Sequence, residues 1–229
     1  MQFISSTDGS SPGADGVTER AFRVGEVPGM FWTPTGANTG LPLVMLGHGG
    51  GESARHPGIV ARARHYVSTI GVAVAAIDAP GHGERPFTEI VGVERALQTT
   101  ADWRAVIDAL LNEGVASGSI GYWGVSMGGV AGAFLLPEEP RISAAVLGLI
   151  GLERLEELAP RITMPLEFLL QWDDELVPHD EGLALFDAFG SVEKTLHANP
   201  GKHLEIPAFE LESSARFFAR HLRTTSSVG

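Results

Sequence analysis

Short, nearly unbroken apolar runs alternate along the chain with longer stretches whose apolar positions recur every three or four residues. The first kind comprises "LPLVMLG" (41–47), "VAVAAID" (72–78), "SIGYWGV" (119–125), "ISAAVLGLI" (142–150) and "LEFLLQW" (166–172). Continuous apolar runs of this length read as strands covered on both faces. Between them, "IVARARHYVSTI" (59–70), "VERALQTTADWRAVIDALLNEG" (93–114) and "DEGLALFDAFG" (180–190) carry the helical period. Strand and helix in alternation predict an α/β protein with a mostly parallel central sheet and helices on both faces. Upstream, "RAFRVGEVPGMFWTP" (20–34) has two extended halves around a Pro-Gly pair, which predicts an antiparallel hairpin at the sheet edge. A last helix is expected over 207–222, with proline near its first turn and basic residues at its end.

At 229 residues with 44% hydrophobic content, the chain is long enough for one domain with a substantial core. The opening "MQFISSTDGSSPGADG" is rich in Ser, Gly and Asp and has neither a basic n-region nor an apolar h-region. Residues 1–16 are accordingly expected to be a flexible arm, and 17–229 the single domain. No apolar run reaches the roughly 18 to 20 residues of a membrane span, and the expected location is cytoplasmic. Sixteen Lys and Arg against 28 Asp and Glu give a formal charge of −12, which repels phosphate backbones and anionic membranes. Neither nucleic acid nor membrane is expected as a partner, while a homodimer stays open. Without cysteine there is no disulfide framework and no thiolate metal site, and nothing calls for a cofactor or a metal.

Ligands of open α/β sheets bind outside the carboxyl ends of the strands, and the informative motifs fall there. Gly124-Val125-Ser126-Met127-Gly128 has the G-x-S-x-G form between a strand pattern and a helix pattern. Such a turn presents a serine at a helix N-terminus, where the Met127 amide can stabilise a developing negative charge. After the first central strand comes Gly47-His48-Gly49-Gly50-Gly51-Glu52, whose consecutive glycines let backbone N–H groups approach a ligand; Gly50 is the expected second donor. The Lys-Ser/Thr ending of a phosphate loop and a spaced G-x-G-x-x-G are both absent from this stretch. His48 reads as a hydrogen-bonder of the loop rather than a base. Trp103, Trp123 and Trp172 lie in or beside apolar runs and read as core.

On these motifs the chain, from about residue 20 to its end, resembles the α/β-hydrolase family. That family orders its triad as Ser, then an acid after a late strand, then a His near the end. The resemblance implies Asp174 as the acid, in the D-x-x-V-P register of Asp174-Glu175-Leu176-Val177-Pro178, and His203 in "LHANPGKHLEIP" as the base. Asp173 falls one position out of phase, and His179 and His197 read as structural. "DAPGHG" (78–83) is similar to the family's D-x-P-G-H-G segment, so that His82, Glu84 and Arg85 are expected at the pocket rim, with a solvated turn as the alternative. His48, Gly49 and Gly51 join His82 and Glu84 as expected substrate contacts, and the pocket is expected from the loops 49–56, 80–92 and 151–164.

Only residues 151–165 separate the run 142–150 from the run 166–172, too few for a helical lid domain. The architecture is similar to the lid-less small esterases and the dienelactone-hydrolase-like branch. The dienelactone hydrolases themselves typically use a cysteine, which this chain lacks. The implied activity is hydrolysis of small, short-acyl carboxylic esters through an acyl-enzyme. Lactone, thioester or C–C bond hydrolysis on the same triad stays open, since a fold does not select a substrate. A non-catalytic small-ligand-binding protein of the same fold is the rival from another class.

Overall fold

The computed structural model describes residues 1–4, 16–37 and 40–222. Among the described residues, nine strands form one sheet in the order β1-β2-β3-β5-β4-β6-β7-β8-β9. The expected central strands appear as β4 (Leu41–Gly47), β5 (Ala73–Ile77), β6 (Ala116–Val125), β7 (Ile142–Gly148) and β8 (Leu166–Gln171), all joined in parallel. The run holding His197 adds β9 (Lys194–Asn199), parallel to β8. Every residue of β5 and β8 is buried, the reason these segments lack polar alternation.

Two apolar layers cover the sheet. Helices α1 (Pro57–Ile70) and α5 (Phe209–His221) lie on one face, where Ile59, Tyr66, Val67 and Phe218 pack against Val44, Val74 and Val146. On the other face lie α2 (Gly92–Asn112), α3 (Met127–Leu135) and α4 (His179–Ala188), and there Trp103, Ile107, Leu135 and Leu185 meet Met45, Tyr122 and Phe168. Helix α5 carries Glu210 and Glu212 in its first turn and Arg220 and His221 in its last, complementing its dipole at both ends. No described helix is long and apolar enough to cross a membrane.

Three expectations are corrected here. The hairpin forms, as β2 (Val17–Val24) against β3 (Val27–Pro34), but Pro28 and Gly29 lie inside β3. The turn is Gly25-Glu26, because Gly25 takes the positive φ of 55° that a tight two-residue connection requires. Gly29 serves close packing instead: a Cβ there would collide with the ring of Phe22 and the carbonyl of Ala76. Within the expected N-terminal arm, Gln2–Ile4 form β1, antiparallel to β2. The unpaired backbone groups along the edge of β2 supply the reason; residues 5–15 lie outside the described residues. Trp172 is not core: it is 49% exposed and stacks on His179, whereas Trp103 and Trp123 are buried.

Between β7 and β8 the chain makes only turns and a short 3₁₀ segment, Ala159–Arg161. This leaves the carboxyl ends of the central strands without a large lid.

Candidate active site

Ser126 sits at the junction of β6 and α3 with φ 54° and ψ −125°. A β-carbon is poorly accommodated at this φ, and the turn persists because its surroundings determine it. The Ser126 N–H donates to the Gly148 carbonyl at 2.9 Å, and its own carbonyl accepts the Val130 N–H at 2.9 Å. From below, the buried Tyr122 hydroxyl donates to the Gly128 carbonyl at 2.6 Å, and burial raises its phenol well above the ordinary range. Side chains are excluded on both sides of the serine: a Cβ at Gly124 would press on the Gly128 carbonyl, and one at Gly128 would overlap the carbonyls of Gly47 and His48. Gly128→Ala is therefore expected to destabilise the fold by about 1–3 kcal/mol or more through overpacking, read as a lower urea midpoint, with a loss of turnover from the displaced elbow.

The three residues expected as a triad come from the ends of β6, β8 and β9 and meet in space. Ser126 Oγ lies 2.9 Å from His203 Nε2, and His203 Nδ1 lies 2.7 Å from Asp174 Oδ2. The side chains of His203 and Asp174 are 4% and 2% exposed. Asp174 Oδ1 accepts the N–H groups of Leu176 and Val177 at 2.8 and 2.9 Å, which leaves Oδ2 for the imidazole. Asp174 thus holds the Nδ1–H tautomer, and Nε2 keeps its lone pair toward the serine hydroxyl. Asp173 points elsewhere and accepts the Gly201 N–H at 3.3 Å. Glu175 accepts the His203 N–H at 3.1 Å and anchors the histidine's backbone; a bond from its own N–H, and then that from His203, hold its carboxyl below the usual range.

The residues expected as substrate contacts are engaged in hydrogen bonds and ion pairs of their own loops. His48 is buried, with Nδ1–H donating to the Gly49 carbonyl at 2.9 Å and Nε2 accepting the Ala79 N–H at 3.0 Å. Both nitrogens are spent, and burial pulls the imidazole below its usual range. The Gly49 N–H goes to Glu52, and Gly51 takes φ 76° in an exposed turn. His82 bonds the Pro80 carbonyl, Glu84 pairs with Arg23 and Arg55, and Arg85 pairs with Asp102. One buried carboxylate explains the arrangement: Asp78 accepts the N–H groups of Ala54 and Glu84, both at 2.8 Å, and stitches the loop 80–85 onto the loop 49–56. Among the described residues, the cleft at Ser126 is lined by none of His48, Gly49, Gly50, Gly51, His82 and Glu84, although His48 lines the cavity behind Met127 that shares residues with it.

That cleft, about 620 Å³, is bounded by Val130 and Phe134 of α3, by Leu149, Ile150 and Leu155 after β7, and by Leu176 and Val177 of the acid loop, with Glu153, Arg154 and Glu181 also on its wall. Of the expected loops, 151–164 contributes, 80–92 touches it only through Gly92, and 49–56 does not. The three non-glycine residues with positive φ among the described ones, Ser126, Leu149 and Arg154, all lie on this lining. Strained backbone of this kind gathers at working sites. Behind Met127 lies a second cavity of about 240 Å³ among Ile77, Trp103, Tyr122 and Ala131, sharing Gly92, Met127 and Val130 with the cleft. The contribution of α2 went unread because its pocket-facing residues obey the same helical period as its core face.

Serine, imidazole and carboxylate in this order, on a strand-to-helix elbow over a parallel sheet, define a serine hydrolase of the α/β-hydrolase class. Comparison with known proteins agrees. Residues 41–149 match the family described as "Serine aminopeptidase, S33". A cold-adapted esterase from an Arctic intertidal metagenomic library, solved in complex with PEG, is 35% identical, with 97% of this chain and 100% of that one covered at a TM-score of 0.83. The acetyl xylan esterase of Paenibacillus sp. R4 (16% identity, 96% and 88% covered, TM-score 0.77) shares the fold. So does Est1E of Butyrivibrio proteoclasticus, solved with ferulic acid (18% identity, 88% and 98% covered, TM-score 0.74). No curated protein matches the sequence. The chain belongs to the α/β-hydrolase superfamily, among its serine esterases.

Proposed function

We propose that this esterase hydrolyses small carboxylic esters with short acyl groups through an acyl-enzyme on Ser126. The hydrogen-bonded chain Ser126–His203–Asp174 carries this reading. Ser126 Oγ attacks the ester carbonyl carbon as His203 Nε2 takes its proton, and Asp174 stabilises the imidazolium that results. The tetrahedral oxyanion is held by the Met127 and Gly50 amides. Met127 is the first residue of α3, so its N–H has no acceptor within the helix. Gly50 lies at the exposed crown of the turn that the Glu52 N–H closes onto the Gly49 carbonyl, and the loop springs from Gly47 and His48, which abut Gly128. As the intermediate collapses, the imidazolium returns its proton to the departing alkoxide. A water deprotonated by His203 then attacks the acyl-enzyme, frees the carboxylic acid and restores Ser126.

Acyl length follows from the walls of the cleft. Glu153, Arg154 and Glu181 share its lining with the apolar residues, which limits the apolar wall open to an acyl chain. Each added methylene contributes roughly 0.8 kcal/mol only while apolar wall remains to receive it, so the gain should end early. With p-nitrophenyl esters from two to sixteen carbons, kcat/KM is expected to peak at about two to six carbons, on the scale of that burial term. A rate still climbing at the long end would overturn the short-acyl assignment. The cold-adapted esterase named above supports the choice of ester as substrate.

A further inference from the structure

On the α5 face of the sheet, away from the triad, two buried carboxylates and a histidine face one another. Glu167 of β8 is 4% exposed and Glu210 at the start of α5 is 1% exposed, while the side chain of His197 on β9 is 21% exposed. Each offers one ligand atom within 4.8 Å of the other two. Glu210 is fully engaged, accepting His197 Nδ1–H and an Asn199 Nδ2–H, each at 2.8 Å. That bond fixes the tautomer and turns the Nε2 lone pair of a neutral imidazole toward Glu167.

Nε2 lies 3.8 Å from Glu167 Oε2, too far for an N–H···O bond. Among the described residues, Oε2 is otherwise held only by a long bond from the Ser213 hydroxyl, and Glu167 Oε1 is buried without a hydrogen-bond partner. With His197 neutral, its lone pair repels the Glu167 carboxylate across this gap, and a cation between them, a proton or a metal ion, relieves the repulsion. A metal ion about 2.1 Å from both an imidazole nitrogen and a carboxylate oxygen sets those atoms roughly 3.4 Å apart at a tetrahedral angle and about 4.2 Å apart when linear. The observed separation falls inside that span. A ligating histidine usually donates its other N–H to a carboxylate, which is what Glu210 receives.

We propose that Glu167, His197 and Glu210 form a divalent-metal site, with His197 Nε2 and the Glu167 carboxylate as direct ligands and Glu210 orienting the imidazole. An imidazole beside a carboxylate favours zinc and its neighbours over magnesium or calcium. His197 and Asn199 end β9 and Glu210 opens α5, so the cluster clasps both ends of the loop that carries His203. The ion is a brace for that loop and takes no part in the chemistry.

The test is titration of the chelator-stripped full chain with zinc ion, by calorimetry and by competition with a chromophoric chelator, with magnesium as control. One zinc per chain is expected, absent with magnesium, together with a rise in Tm on the order of 5 °C at about a hundredfold excess over Kd. Glu167→Gln and His197→Gln should each weaken binding by about tenfold or more, and Asp174→Asn should leave it unchanged. No binding by the wild-type chain, or binding that survives both cluster variants and disappears with Asp174→Asn, would overturn the site and, in the second case, move the ion to the triad. Should Glu167→Gln fail to fold, His197→Gln, at a partly exposed position, decides the question.

Discussion

Ser126→Ala is expected to abolish labelling by a fluorophosphonate and to lower kcat on p-nitrophenyl acetate by on the order of 10⁴-fold or more, with KM much less affected. The hydroxyl is the nucleophile in the proposed reaction, and no other serine of the described chain contacts His203. Removing it leaves the oxyanion donors and the cleft in place, which is why binding persists while the transition state loses its covalent partner. Peptide mapping of the labelled wild-type protein should find one adduct, on Ser126. An adduct on Ser143 would reject the assignment; that hydroxyl donates to the Ile120 carbonyl and has no base beside it. Full activity of Ser126→Ala would reject the covalent mechanism, and no activity in either protein would favour the ligand-binding reading.

The two neighbouring carboxylates are expected to behave oppositely. In Asp174→Asn the amide has a single acceptor oxygen, while two backbone N–H groups, Leu176 and Val177, compete for it with His203. With the oxygen facing those backbone donors, the amide NH₂ faces the imidazole and makes Nδ1 an acceptor. Nε2 then carries the proton and can no longer receive one from Ser126. A loss of kcat on the order of 10⁴-fold follows, close to that of His203→Ala. Asp173→Asn changes only an exposed contact with the Gly201 N–H, one that an amide oxygen still accepts. Its activity should stay within about tenfold of wild type, since the altered bond belongs to the surface and not to the triad. Steady-state kinetics on the three variants checks both statements, and a larger loss in Asp173→Asn than in Asp174→Asn would shift the acid by one residue.

Features encoded by local chemistry were legible in the chain itself. Parallel strands buried on both faces announce themselves as unbroken apolar runs, and β4, β7 and β8 start where the pattern placed them. The elbow was readable because only glycine fits at 124 and 128, so its constraint lies within five consecutive residues. Asp174 could be separated from Asp173 by the register of the acid loop, which the N–H groups of Leu176 and Val177 enforce. The hairpin was readable as two extended halves, but its turn was misplaced because Pro-Gly is a strong local turn signal and β3 overrode it through pairing with β2 and β5.

The walls of the cleft were decided by tertiary structure alone. Five polar or glycine residues expected at the substrate, His48, Gly49, Gly51, His82 and Glu84, have ordinary rim chemistry, and their fate depended on Asp78 capturing two loops at once. A hydrogen bond between segments distant in sequence leaves no periodicity behind, and neither does the separation of Glu167, His197 and Glu210 on two strands and a helix. Apolar residues such as Val130, Phe134 and Leu155 carry the same hydrophobic signal whether they face the core or a pocket. The elbow at Ser126 was thus determined by sequence, because backbone constraints specify it over a few residues, whereas Asp174 and His203 followed from the resemblance to the family's triad order. Which side chains line the cleft was determined by how the loops close over the strand ends.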